Sequence, residues 1–170
     1  LARLAGELCD GFHVHPFHSF KYLNEHILPN IQQGAQKAGR DPKACKLSTA
    51  AFVIVGDDDE ERKGLKGLVK QQIAFYASTP AYRPVLEVHG WGDVQAKLNE
   101  KARAGDWGGM ADLITDEMLE VYATTGTWDD IAGKLKAKYE GILDRLSFYI
   151  PYRKGDRVER WREVIRAFNG

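Results

Sequence analysis

The chain has 170 residues, of which 44% are hydrophobic and 28% charged, and its 24 basic side chains balance 24 acidic ones. This composition is typical of one globular domain, and the lack of a basic excess argues against nucleic acid and anionic membranes as partners. The two cysteines, Cys9 and Cys45, are too few for a disulfide framework, so we expect free thiols and a cytoplasmic location. No apolar run approaches the roughly 20 residues that span a membrane.

The first predicted elements are a helix, a strand and a second helix. Apolar residues at helical spacing fill positions 1–8, and segment 11–15 has the composition of a short strand that Pro16 ends. Ser19 can cap the second helix, which we expect to end at Gly39. Because the helical pattern begins at the first residue, we expect the chain to be part of a longer protein.

Segment 47–55 (LSTAAFVIV) is nearly continuous in apolar and β-branched residues, which predicts a strand covered on both faces. The acidic residues 57–61 follow and complement the dipole of a long helix. Segment 78–125 is rich in Gly, Pro and Trp and predicts a helical insertion. A helix that begins near Thr127, a strand near 146–152 and a closing helix complete the chain.

This alternation predicts an α/β fold with three parallel strands. A three-stranded parallel sheet has two open edges, whereas a closed (β/α)8 barrel needs about 250 residues. We therefore interpret residues 1–170 as the C-terminal part of a (β/α)8 TIM-type barrel with a helical insertion between the last two strands. The expected partners are the missing N-terminal half of the barrel and, through the open edges, a second copy in a homo-oligomer.

Several short motifs have a characteristic order and spacing. They are 10–17 (DGFHVHPF), 73–76 (IAFY), 78–83 (STPAYR), 113–118 (LITDEM), 126–130 (GTWDD) and 144–145 (DR). This pattern resembles the luciferase-like monooxygenase superfamily, specifically its branch of deazaflavin (coenzyme F-420) dependent oxidoreductases. The resemblance implies that the strands are the sixth, seventh and eighth of the barrel. It also implies hydride transfer between a deazaflavin, or alternatively FMN, and a small organic substrate, with no activity from this part alone.

Three histidines, His13, His15 and His18, follow or end the first strand, and strand alternation puts His13 and His15 on one face. We expect His13 and His15 to contact the cofactor at the barrel mouth. Two other interpretations remain open: structural histidines with satisfied hydrogen bonds, or metal ligands, which would need further ligands on later strands.

Two further groups are candidate ligand contacts. Tyr152 and Arg153 end the last predicted strand at the catalytic rim of a barrel and are expected to bind the cofactor. Tyr76, Tyr82 and Arg83 lie where the long helix meets the insertion and are expected to bind substrate by stacking and charge. The alternative functions are a flavin-dependent monooxygenase, a metal-dependent amidohydrolase-like enzyme and a non-catalytic half-barrel assembly module.

Overall fold

The computed structural model describes residues 1–149 and 157–169, which form four parallel strands and surrounding helices. The strands are β1 (Gly11–Val14), β2 (Lys46–Val55), β3 (Ala123–Gly126) and β4 (Arg145–Phe148). The α-helices are α1 (Ala2–Leu8), α2 (Phe20–Tyr22), α3 (Leu28–Lys37), α4 (Asp59–Ala77), α5 (Arg83–Glu87), α6 (Gly92–Arg103), α7 (Asp116–Tyr122), α8 (Ile131–Tyr139) and α9 (Val158–Asn169). A π-helical turn, Leu23–Ile27, joins α2 to α3, and 3-10 turns lie at Pro42–Ala44, Pro80–Tyr82 and Gly108–Leu113. No described helix is long and apolar enough to cross a membrane.

All the pairing of the sheet runs through β2. Its first residues pair with β1 from Gly11 opposite Lys46, and its middle residues pair with β4 from Ser48 opposite Arg145. Its last residues pair with β3, Phe52 opposite Ala123. Strands β1, β3 and β4 are only four residues long, so their positions depend on this ten-residue strand.

Both faces of the second half of β2 are buried, because side chains of a strand alternate between its faces. Phe52 and Ile54 pack into a core with α4, the segment 80–113 and α7. Ala51, Val53 and Val55 pack on the other face against α8 and α9. These five side chains are each 2% exposed or less, which explains the continuous apolar sequence.

Helices α1 and α3 touch through reciprocal glycines. A Cβ on Gly34 would lie 1.8 Å from the Arg3 carbonyl oxygen, and one on Gly6 would lie 2.0 Å from that of Ile31. Contacts this short leave no room for a side chain in either helix. The backbones therefore pack directly, and this fixes the helices that flank β1.

The predicted α/β barrel-type fold is confirmed, with strands at 11–14, 46–55 and 145–148 where three were expected. Strand β3, which overlaps the end of the segment 78–125, was not predicted from the sequence. The helical insertion therefore ends at Tyr122 and connects β2 to β3 instead of joining the last two strands. The physical reason is length: the four residues Ala-Thr-Thr-Gly carry no alternation, and only pairing with Phe52–Val55 makes them a strand. The end of the strand predicted at 146–152 lies outside the described residues from position 150 onward.

We expect Gly34→Ala to lower the free energy of unfolding by about 1–3 kcal/mol, because α1 must shift away from α3 to admit the methyl group. Gly64→Ala is the matched control, since Gly64 lies in the helix α4 and a Cβ added there would have nothing within 4 Å. That substitution should be neutral or stabilising by up to about 1 kcal/mol. Urea denaturation followed by circular dichroism measures both, and equal effects would contradict the direct helix contact.

Candidate functional site

Where β1 and β4 pair with the first half of β2, one face of the sheet carries polar and small side chains that are exposed or half-buried. The register puts His13 beside Ser48 and Ala50 beside Ser147, and paired residues of a parallel sheet share a face. His13 Nδ1 lies 2.9 Å from Ser48 Oγ, within hydrogen-bond distance. We call this surface, made of His13, Ser48, Ala50, Arg145 and Ser147, the open face. The opposite face of the same strands carries Phe12, Val14, Leu146 and Phe148, which pack against helices.

His15 lies directly after β1 and is surrounded by aromatic rings at the carboxyl end of the open face. Its ring centroid is 4.6 Å from that of Tyr76 in an edge contact and 4.6 Å from that of Tyr82. The main-chain N–H of Phe17 donates to His15 Nδ1 at 3.1 Å, so the proton of the neutral ring is on Nε2. Burial, and secondarily the nearby His13, lower the pKa of His15. His15 is therefore held neutral, as one oriented N–H donor.

Tyr149, the residue after β4, lies next to the aromatic side chains around His15. Its ring packs edge-on against Phe52 with a centroid distance of 4.9 Å, and its hydroxyl forms a hydrogen bond with the hydroxyl of Tyr76. Burial and this bond raise the pKa of Tyr76 to about 12, so its phenol stays protonated at neutral pH. His15, Tyr76, Tyr82 and Tyr149, which we call the aromatic rim, can stack on a flat ligand and offer neutral hydrogen-bonding groups to it.

The structure brings together four of the residues predicted from sequence and separates others from them. His13 and His15 share the open face with its rim, and Tyr76 and Tyr82 contact His15. Arg83 is exposed, and its Nε donates to Glu87 at 2.6 Å, so its side chain is engaged with its own helix. Tyr152 and Arg153 lie outside the described residues.

Tyr149 was not predicted from the sequence. The available signal was period-two alternation, since positions 145, 147 and 149 share the face of His13 if the strand is continued. The strand was instead expected to end three residues later, with Tyr152 as the rim residue.

His18 is turned away from His13 and His15 and is buried at 2% exposure. Its Nδ1 lies 2.8 Å from the His15 carbonyl oxygen, so it donates there, and its Nε2 accepts from the Tyr139 hydroxyl at 3.2 Å. The third of these histidines is therefore a structural group in the core. Among residues 1–149 and 157–169, no three His, Cys, Asp or Glu side chains are grouped so as to hold a metal ion.

Comparison with known proteins identifies related sequences over most of the chain. The family model of luciferase-like monooxygenases matches residues 1–145. An uncharacterized protein of Mycobacterium tuberculosis strain H37Rv is 42% identical over 146 residues, which are 86% of this chain and 43% of that protein. A 5,10-methylenetetrahydromethanopterin reductase of Archaeoglobus fulgidus is 32% identical over 141 residues, 79% of this chain and 40% of that enzyme.

A solved structure shares the fold. It is the coenzyme F-420 dependent tetrahydromethanopterin reductase from Methanopyrus kandleri, with a TM-score of 0.64 and 22% identity over 86% of this chain and 41% of that one. The chain thus spans about two fifths of the length of the relatives that it matches.

The environment of His18 predicts a loss of stability in acid. Burial is the main cause that lowers the pKa of His18 to about 4 from its usual 6.5. The folded protein therefore binds fewer protons than the unfolded chain, so this stabilisation is complete above pH 6.5 and is lost as the pH falls toward 4. The total effect is on the order of 3 kcal/mol.

Urea unfolding at several pH values tests this, with His18→Asn as the comparison, because an amide keeps a donor near the His15 carbonyl but does not titrate. We expect the variant to be less stable at pH 7 and to lose clearly less stability between pH 7 and 4 than the original chain. Parallel pH profiles of the two proteins would rule out a buried neutral His18.

Proposed function

We propose that this chain, which belongs to the luciferase-like monooxygenase family, supplies the last strands of a (β/α)8 barrel oxidoreductase that transfers hydride between coenzyme F-420 and an organic substrate. The observation that carries the proposal is the aromatic rim, which lies at the carboxyl ends of β1 and β4 and borders the open face. Active sites of this barrel type lie at that end of the strands. The names of two relatives, an F-420 dependent reductase and a methylenetetrahydromethanopterin reductase, support this reaction class.

The residues of the open face fit a flat, polar ring. Ser48, Ala50 and Ser147 are small, so a planar group could approach the strands closely. His13 and Ser48, which lie side by side on this face, offer hydrogen-bonding atoms to it. The neutral N–H of His15 offers one more donor at the rim. When bound, a reduced deazaflavin supplies the hydride; the protein's part is to hold and orient the ring and to exclude water.

Other predicted contacts extend this site. We assign Tyr76 and Tyr82 to substrate binding, because their rings already surround His15. Arg83 could join them only by leaving Glu87, which costs little because an exposed ion pair contributes about 0–1 kcal/mol. Tyr152 and Arg153 remain proposed cofactor contacts on the sequence alone. A cytoplasmic enzyme agrees with the free thiols of Cys9 and Cys45.

A chimeric barrel tests the function. The whole chain would replace the matched segment of the 42% identical mycobacterial relative, which supplies the other strands. We expect the chimera to fold and to bind coenzyme F-420, seen as quenching of cofactor fluorescence, with FMN as the competing flavin. A folded chimera that binds FMN alone would favour the flavin-dependent monooxygenase, and one that binds neither cofactor would contradict the proposal.

Within that chimera, we expect His15→Ala to weaken F-420 binding or turnover by roughly twofold to a hundredfold, the effect of losing one hydrogen bond to a polar or charged ligand. His26→Ala is the matched control, because His26 is an exposed histidine that stacks on Tyr22 away from the open face. Fluorescence titration gives the dissociation constants. If the two variants bind equally well, His15 has only a structural role.

The chain by itself should self-associate. In the described part of the chain, β1 and β4 each pair only with β2, so each has an edge with unpaired main-chain groups. Such edges pair with other strands, and Leu4 and Leu8 on α1 add exposed apolar surface. Sedimentation velocity should show dimers or larger species of the chain alone, and a concentration-independent monomer would contradict this expectation.

A further inference from the structure

A cavity of about 590 Å³ lies between α8, the start of β3 and the segment that follows β1. Its wall includes Ser19 and Lys21 before the π-turn, His89 after α5, Thr125 of β3, and Lys134 and Lys138 of α8. None of its lining residues belongs to the open face or to the aromatic rim. It is therefore a separate site, and its volume falls in the range of pockets for small molecules.

Lys138 is the central charged group of this cavity. Its Nζ donates to the main-chain oxygens of Val121 at 3.3 Å and Ala123 at 3.5 Å, both long contacts. No carboxylate among the described residues lies within 4 Å of this ammonium group. A partly buried cation is normally paired, since carbonyl dipoles alone replace its hydration poorly. Burial accordingly lowers the pKa of Lys138 to about 8.

The other charges around the cavity leave it basic. Lys134 is neutralised by Asp130 at 2.8 Å, whereas the one acceptor of Lys21 in the described part of the chain is the Val88 carbonyl oxygen, at 2.6 Å. The one carboxylate in the wall, Glu120, is exposed and is not within 4 Å of any described lysine or arginine nitrogen.

His89 is hydrogen-bonded to Ser19 at 2.7 Å. Its pKa is lowered by burial and by Lys21, against the opposing effect of Glu25. Among residues 1–149 and 157–169, the ammonium groups of Lys138 and Lys21 in this wall have no carboxylate partner within 4 Å.

We propose that this cavity binds the phosphate group of a small phosphorylated molecule, with Lys138 and Lys21 as its main contacts. Phosphate is favoured over carboxylate because the cationic groups of the wall are lysines; lysine binds phosphate as a point charge, whereas carboxylates are typically held by the fork of an arginine. The volume far exceeds one phosphate ion, so the ligand carries an organic part that fills the remainder.

Inorganic phosphate titrated into the ¹⁵N-labelled chain tests the site, with chloride at equal ionic strength as the reference. We expect saturable shifts of amide signals confined to Thr125, Lys134, Lys138 and their neighbours. We also expect the Lys138 pKa, followed through its side-chain signals, to rise from about 8 as phosphate binds.

Lys138→Met should weaken phosphate binding by roughly tenfold or more, the effect of one charge-assisted contact. Lys136→Met is the matched control, since Lys136 lies on the same helix but outside the cavity wall. Lys21→Met, at an exposed position, gives a second variant that leaves the core untouched if the Lys138 variant unfolds. Binding that is equal in Lys21→Met and Lys136→Met, or shifts scattered over the surface lysines, would overturn the proposal.

Discussion

The fold depends on one strand, β2, and on the alternation of its side chains. Its ten residues give every other described strand its pairing partner, and its second half is buried on both faces. Phe52 and Ile54 hold the long helix α4 and the insertion on one side, while Ala51, Val53 and Val55 hold α8 and α9 on the other. In its first half, Ser48 and Ala50 face no helix core, so the same strand also forms the floor of the candidate site.

The segment after β1 distributes its side chains among three environments, which links the core to both proposed sites. His15 enters the aromatic rim, His18 enters the core beside Tyr139, and Ser19 and Lys21 line the cavity that we propose to bind phosphate. Both His15 and His18 are neutral, because burial lowers the pKa of each. Neutral rings with one fixed donor each can be packed against tyrosines without the penalty of a buried charge.

The sequence predicts those parts of the fold that depend on local pattern. The buried strand β2 was recognised from its continuous apolar residues, and the acidic residues 57–61 were recognised as a helix start, where Asp58 does cap α4. Strand β3 was missed because pairing, and not pattern, makes it a strand. In the site, alternation predicts the shared face of His13 and His15, but the Tyr76 to Tyr149 bond and the Arg83 to Glu87 pair depend on tertiary placement that spacing does not encode.

In the proposed function, the cofactor ring lies on the open face. A crystal structure of the chimeric barrel with coenzyme F-420 tests it most directly. We expect the deazaflavin ring over Ser48, Ala50 and Ser147, with His13 and His15 within hydrogen-bond distance of its polar edge. A ring bound elsewhere, with the open face covered by side chains of the other strands, would contradict it.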